Sequence, residues 1–136
     1  MVTVDIVLIS SNGDDSEILL IERKNDPFSG SWALPGGFMD MEETTLAAAE
    51  RELMEETGIK GLHLVMHGLR DDIHRDPRGR CLTVVFVCIL EKEKPQANAG
   101  DDAKEVRWFP INALPQMAFD HSQIVEDVLQ DYNMID

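Results

Sequence analysis

The stretch LPGGFMDMEETTLAAAERELMEETGI, residues 34–59, places a Pro-Gly-Gly turn shortly before an acidic segment. Residues 44–57 are mostly good helix formers. Thr44 or Thr45 can cap the start of a helix, and Gly58 offers a C-terminal stop. The sequence therefore predicts a helix over residues 44–57 that follows closely on a tight turn.

The carboxylates of this helix share one face. At about 100° per residue, Glu52, Glu55 and Glu56 fall within an arc of about 100°. The stripe expected to face the core lies beside them and consists of Leu46, Ala49 and Leu53. Like charges at this spacing cost a few tenths of a kcal/mol per pair. A solvated acidic face is the simpler interpretation, and the alternative is a site for a hard divalent cation such as Mg²⁺, which binds through one or two carboxylates and substrate phosphates.

The rest of the chain alternates apolar runs with turn signals. Residues 2–10 and 17–23 are rich in β-branched residues and are separated by a turn at Asn12-Gly13, which predicts a hairpin. The other predicted elements are a short strand near Trp32 to Leu34, strands over residues 62–73, 80–91 and 105–110, and a helix from Asp120 onward. This order predicts an α/β fold in which two main helices pack on a mixed β-sheet.

The closing helix carries its own start signal. Asp120 followed three residues later by Gln123 is an aspartate variant of the capping box. His121 follows the cap, so we assign it a structural role. The apolar stripe of this helix consists of Ile124, Val125, Val128 and Leu129.

The spacing of residues 37–59 resembles the Nudix box. That motif is a Gly, five residues, a Glu, seven residues, and then Arg-Glu-bulky-x-Glu-Glu-x-Gly-bulky. Gly37, Glu43 and Arg51 occupy the first three specified positions, and the run from Glu52 to Ile59 matches every remaining one. The resemblance implies the α/β/α sandwich of this family over a single domain, residues 1–136.

The resemblance also implies a metal site. Glu52, Glu55 and Glu56 would be ligands of Mg²⁺ or Mn²⁺, and the carbonyl of Gly36 would add a ligand because a glycine turn lets the backbone approach an ion. The remaining box positions would orient the loop and the helix, with Glu43 and Arg51 paired to each other; they are Gly37, Glu43, Arg51 and Gly58.

The chemistry that the resemblance implies is hydrolysis of a nucleoside diphosphate linked to another group. Water attacks one phosphorus, and the metal activates that water and neutralises charge on the phosphate oxygens. Glu52 is our first choice for the general base. Acids outside the box are the alternatives, namely Asp101, Asp102 and Glu105.

Three segments resemble the ADP-ribose pyrophosphatase branch of the family: residues 22–37, 75–86 and 117–129. The expected reaction is then hydrolysis of ADP-ribose to AMP and ribose 5-phosphate. The arginines of these segments can bind phosphate or ribose oxygens, although a charged hairpin tip is an alternative explanation; they are Arg23, Arg75, Arg78 and Arg80. Phe119 or Phe28 can stack on adenine, with core packing as the alternative.

Two other functions remain open. The enzyme could act on an oxidised nucleoside triphosphate or a nucleotide sugar. It could also be a non-catalytic ADP-ribose sensor, which in this family carries a winged helix. Because the sequence ends at Asp136, a few residues past its last helix, we expect no such DNA-binding domain.

The composition restricts the partners. The chain has 26 acidic and 12 basic residues, a net charge of −14, which disfavours binding to a nucleic-acid polymer. No apolar run reaches the roughly 18 residues of a membrane span. Cys81 and Cys88 are seven residues apart in an apolar run, which places them on opposite faces of a strand, so we expect buried thiols and no disulfide between them. Free thiols fit a reducing compartment, so the expected location is the cytoplasm. A homodimer is a further expectation, because many members of the family form one.

Overall fold

The computed structural model describes residues 1–12, 15–91, 94–100 and 102–135. The strands are β1 (Val2–Asn12), β2 (Asp15–Arg23), β3 (Trp32–Ala33), β4 (Gly36–Phe38), β5 (Val65–Arg70), β6 (Leu82–Leu90) and β7 (Ala103–Pro110), and the helices are α1 (Thr45–Thr57) and α2 (His121–Asp131). The predicted order of elements is confirmed, with β4 as an additional short strand. Strands β5 and β6 are shorter than the sequence predicts: the connection between them takes residues 71–81, and β5 begins only at Val65.

The sheet is mixed. Its strand order is β3-β2-β1-β6-β5, with β4 paired to β1 and β7 paired to β2. Strands β1 and β6 are parallel, and all other described pairs are antiparallel. The predicted hairpin is present, since Ile9 pairs with Ile18; Gly13 of its turn lies outside the described residues.

Strand β1 has two partners on one side. Its first half pairs with β4 and its second half pairs with β2, while β3 pairs with the far half of β2. Between Ala33 and Gly36 the chain therefore leaves the edge of β2, where β3 is paired, and reaches the edge of β1, where β4 is paired. We call residues 34–37 the crossing turn, and this turn carries the Pro-Gly-Gly sequence.

The core lies on both faces of the sheet. Along β1, Val4, Ile6 and Leu8 pack with residues of α1, whereas Val7 and Ile9 pack with residues of α2. This alternation follows from the two-residue period of a strand. The predicted α/β/α sandwich is confirmed, and all four predicted apolar positions of α2 are buried.

Two local predictions are wrong. Leu46 was expected to face the core, but it is 42% exposed, and Ala48 is buried instead. Asp120 does occupy the N-cap position of α2, yet its side chain makes no capping hydrogen bond to the described residues. Its carboxylate is engaged by Arg75. Within the described ranges, neither helix is long and apolar enough to cross a membrane.

Candidate active site

Helix α1 sets the positions of the acidic side chains. It starts where the Thr44 hydroxyl accepts a hydrogen bond from the Ala47 N–H, and it ends at Gly58, whose φ of 78° is favourable for glycine. The three carboxylates do not share one environment. Glu52 and Glu56 are only 9% and 5% exposed, whereas the side chain of Glu55 is 52% exposed.

The two buried carboxylates face the crossing turn. The N–H of Gly36 donates to Glu56 Oε1 at 3.4 Å. A Cβ on Gly37 would lie 2.6 Å from the Glu52 carboxyl carbon, and a Cβ on Gly36 would lie 2.1 Å from the Val4 carbonyl oxygen. At Gly36 the obstacle is backbone, so no side chain fits there, whereas a side chain at Gly37 would displace the Glu52 carboxylate. The two glycines therefore allow the turn and the carboxylates to approach each other.

Arg51 organises the entrance to α1. Its guanidinium donates to Glu43 at 2.6 Å, to Glu52 at 2.9 Å and to Glu55 at 3.2 Å. It also donates to the carbonyl of Phe38 at 3.0 Å. The hydrogen bond from Arg51 lowers the pKa of the Glu43 carboxyl. Arg51 therefore joins the loop before the helix to the acidic face, which is the pairing that the sequence suggests.

Burial disfavours ionisation of the Glu52 and Glu56 carboxyl groups. It raises the pKa of Glu56 to about 9, and the neighbouring negative charge of Glu52 is the second cause. Burial is also the main cause of the raised pKa of Glu52. Glu56 Oε2 is buried and has no hydrogen-bond partner among the described residues.

A divalent cation fits this pair of carboxylates. It would supply the missing partner of Glu56 Oε2 and offset the repulsion between Glu52 and Glu56, and Mg²⁺ commonly binds through one or two carboxylates. Among the described residues, no three Asp, Glu, His or Cys side chains are already gathered as a metal site. Glu55 in particular is turned toward Arg51, so it would have to leave that contact to become a ligand.

A cavity of about 470 Å³ opens between the crossing turn, α1 and the β5–β6 connection. Its lining includes the carboxylates of Glu52 and Glu56 together with Arg23, Arg78 and Phe119. The cavity therefore contains both groups that can hold a cation and groups that can hold a phosphate.

The cationic part of the lining is built around an aromatic ring. The guanidinium carbons of Arg23 and Arg78 lie 5.0 and 5.3 Å from the centroid of Phe119. Arg78 forms a two-point pair with Asp76, whereas Arg23 donates to the carbonyl of Pro27 at 2.8 Å. Burial and then the nearby positive charge of Arg78 lower the pKa of Arg23. An anion between these two arginines would relieve their repulsion.

Phe119 has little free face for a base. Phe28 lies 4.8 Å away in an edge-to-face arrangement, and the ring of His121 lies 5.4 Å away. With two guanidiniums also against it, the ring supports charged neighbours more readily than it stacks on adenine. Both phenylalanines have positive φ, 63° for Phe28 and 52° for Phe119, a strained conformation for bulky residues.

Two other predicted arginines differ from this pair. Arg75 lines the cavity, but it is buried and donates to both carboxylate oxygens of Asp120, at 2.8 and 3.0 Å. Arg80 is not among the described residues that line the cavity, and its carbonyl accepts a hydrogen bond from the amino group of Met1. Arg75 therefore joins the β5–β6 connection to the start of α2, and Arg80 lies just before β6, next to the start of the chain.

The acids outside the box differ in whether they line the cavity. Asp102 lines the cavity. Glu105 lies on β7 outside the described lining, and it accepts a hydrogen bond from Arg107 at 2.7 Å. Asp101 lies outside the described residues. Of the acids outside the box that the structure describes, Asp102 is therefore the alternative to Glu52 as a base.

Sequence reasoning missed the polar floor of the cavity. Asp5 on β1 and His121 on α2 are both buried and both line the cavity. Asp5 accepts a hydrogen bond from Thr83 at 2.6 Å. The available signal was a charged aspartate in the run VTVDIVLI, which is predicted to be a buried strand, because a buried carboxylate needs a partner.

Comparisons with known proteins agree with this geometry. A family model described as the NUDIX domain matches residues 1–128. An ADP-ribose pyrophosphatase from Methanocaldococcus jannaschii is 46% identical over 116 residues, which cover 85% of this chain and 68% of that protein. The ADPR responsive transcriptional repressor NtrR from Acinetobacter baylyi is 31% identical over 98% of this chain, but the chain spans only 54% of its length.

Solved structures are similar over nearly the whole chain. The NUDIX domain of Shewanella oneidensis NrtR complexed with ADP ribose superposes with a TM-score of 0.89 at 28% identity, covering 97% of this chain and 88% of that one. A bifunctional NMN adenylyltransferase/ADP ribose pyrophosphatase from Francisella tularensis, complexed with AMP and a Mn ion, gives a TM-score of 0.83 at 35% identity. In that case 96% of this chain and 41% of the other are covered.

Proposed function

This chain belongs to the Nudix hydrolase family, and we propose that it hydrolyses ADP-ribose to AMP and ribose 5-phosphate with the help of Mg²⁺ or Mn²⁺. The observation that carries the proposal is the 46% identity, over 85% of the chain, to a protein named for that activity. The cavity supports it, because buried carboxylates and arginines line the same space.

The proposed cation site consists of Glu52, Glu56 and the carbonyl of Gly36, joined by Glu55 once that side chain leaves Arg51. The similarity to a relative solved with AMP and a Mn ion supports a divalent metal. Bound there, the cation would supply activation of water and neutralise charge on the phosphate oxygens.

The protein groups would position the substrate and move the proton. Arg23 and Arg78 would bind phosphate oxygens, because Arg78 is held in place by Asp76 and Arg23 has a carbonyl as its hydrogen-bond acceptor. Glu52 would accept the proton of the attacking water, with Asp102 as the alternative base. Fixed charges around a bound pyrophosphate would provide most of the rate acceleration.

A direct test is product analysis. The purified protein is incubated with ADP-ribose and Mg²⁺ in ¹⁸O-labelled water, and the products are separated and weighed by mass spectrometry. We expect AMP and ribose 5-phosphate, with one labelled oxygen in one of the two. A panel with an oxidised nucleoside triphosphate and a nucleotide sugar at equal concentration tests the branch, and ADP-ribose as one of the poorest substrates would contradict it.

A sensor function is the second candidate. Two relatives favour it: a protein named as an ADPR responsive transcriptional repressor, and an NrtR NUDIX domain solved with ADP ribose. A sensor would bind ADP-ribose in calorimetry without hydrolysing it in Mg²⁺ or Mn²⁺. The same incubation therefore separates the two functions, since turnover supports the enzyme and binding without turnover supports the sensor.

A further inference from the structure

His121 connects α2 to the crossing turn. Its Nδ1 accepts a hydrogen bond from the Leu34 N–H at 3.0 Å, and the side chain is buried. The nitrogen that accepts carries no proton, so the neutral ring has its proton on Nε2. Nε2 lies 3.5 Å from Asp5 Oδ1, which places this proton toward a carboxylate.

Asp5 holds the other side of the same turn. Its Oδ2 accepts the hydroxyl proton of Thr83 at 2.6 Å, which fixes the carboxylate on the sheet. Its Oδ1 lies 2.6 Å from where a Cβ of Gly36 would be. The carboxylate therefore packs directly on Gly36 and limits how far the turn can move toward β1.

The crossing turn is thus held at successive residues. Leu34 is held by His121, the carbonyl of Pro35 accepts from the Ile6 N–H at 2.9 Å, and the Gly36 N–H donates to Glu56 at 3.4 Å. Only the first of these contacts uses a side chain that belongs neither to the sheet nor to α1. A loss of the His121 contact would release the turn at the residue where the chain leaves β3.

We propose that His121 is a positioning residue for the cation site. It holds Leu34 and thereby fixes the backbone of Gly36 opposite Glu52 and Glu56. This inference rests on the proposed function, because it takes those carboxylates and the Gly36 carbonyl as the cation ligands. His121 acts through the turn and touches neither the substrate nor the reacting atoms.

The test measures Mn²⁺ binding without substrate. Metal-free protein is titrated with Mn²⁺, and the unbound ion is quantified by electron paramagnetic resonance. We expect His121→Leu to weaken Mn²⁺ binding about 10-fold, the lower end of the effect seen when an outer-shell partner of a metal site is lost. His121→Asn keeps an acceptor near the Nδ1 position and should recover most of the affinity, whereas His121→Gln reaches the Nε2 position and should not.

A matched control is His67→Leu. His67 Nε2 lies 2.7 Å from the carboxylate of Asp131 at the other end of α2, and His67 is not part of the described cavity lining. This variant also removes a histidine–aspartate contact of α2, so any general loosening of the helix should be shared. We expect its Mn²⁺ affinity to equal that of the wild type.

The outcomes separate this inference from the proposed function. Equal Mn²⁺ affinity in the wild type and His121→Leu would overturn the inference, even if the variant melts at a lower temperature. If His121→Leu does not fold, the comparison of Asn with Gln decides, and equal affinity in those two would overturn it. Wild-type protein that binds Mn²⁺ no better than Glu56→Gln would instead overturn the proposed cation site, and this inference with it.

Discussion

Replacing Glu56 by glutamine should stabilise the metal-free protein while removing its activity. An acid whose pKa is raised by folding binds its proton more tightly in the folded state. Between the unfolded and the folded pKa, the acid is ionised in the unfolded protein but still protonated in the folded protein. The free energy of unfolding therefore falls as the pH rises through this range. For Glu56 this window runs from the ordinary value of 4.5 to about 9.

The size of the effect follows from the same window. About 2.5 pH units separate pH 7 from the unfolded pKa, and each unit is worth about 1.4 kcal/mol, so Glu56 costs the folded protein about 3 kcal/mol at pH 7. Glutamine does not ionise, keeps an oxygen for the Gly36 N–H, and can donate to Glu52. In EDTA at pH 7 we expect Glu56→Gln to raise the free energy of unfolding by about 3 kcal/mol, roughly 10 °C in melting temperature.

The assay is urea unfolding in EDTA at pH 5, 7 and 8.5, together with turnover in Mg²⁺. The stability difference between Glu56→Gln and the wild type should grow across this series, and turnover should fall at least about 100-fold. Glu55→Gln is the matched control: the side chain of Glu55 is 52% exposed, so its stability should stay within about 0.5 kcal/mol, although turnover should also fall. A Glu56→Gln protein that is no more stable than the wild type, or a difference that does not change with pH, would refute the reasoning.

Three further predictions separate cavity residues from their neighbours. Arg78→Gln should raise the KM for ADP-ribose about 10-fold or more, since it removes a charge-assisted hydrogen bond, whereas Arg80→Gln should leave KM unchanged in the same steady-state assay. Arg75→Met should lower the free energy of unfolding by about 3 kcal/mol or more in urea titrations, because it leaves a partly buried carboxylate without its partner; unchanged stability with a raised KM would show that this arginine binds substrate instead. Asp102→Asn should slow turnover more than Glu105→Gln does, and the reverse order in single-turnover kinetics would move the alternative base to β7.

Local sequence signals predicted most of the fold. Helix α1 was found to within one residue at its start, because its cap at Thr44 and its stop at Gly58 are coded by adjacent residues. The hairpin of β1 and β2 follows from its turn and its apolar runs. The crossing turn was predicted as a glycine turn near the carboxylates, and the structure adds the reason, since a Cβ on Gly37 would overlap the Glu52 carboxylate.

The failed cap at Asp120 and the missed pair of Asp5 and His121 share one cause, which is a partner far away in the sequence. Asp120 has the right position and chemistry for a helix cap, but Arg75, 45 positions earlier, takes its carboxylate. Asp5 and His121 meet although the whole fold lies between them in sequence. Neither pairing has a spacing rule, because the contact exists only after β1, β6 and α2 have packed together.

The net charge of the whole chain does not predict the charges that line the cavity. The net charge is −14, yet four of the basic residues that the structure describes line the cavity: Arg23, Arg51, Arg75 and Arg78. Arg51, Arg75 and Arg78 are each hydrogen-bonded to at least one carboxylate, whereas the hydrogen bond of Arg23 in the described structure goes to a carbonyl. A pyrophosphate can approach these arginines, but it is repelled by each of Glu52 and Glu56 that is ionised unless a cation lies between. Under the proposed function, binding of the metal and binding of the anion would therefore strengthen each other, and this coupling would arise from the charge arrangement of the cavity.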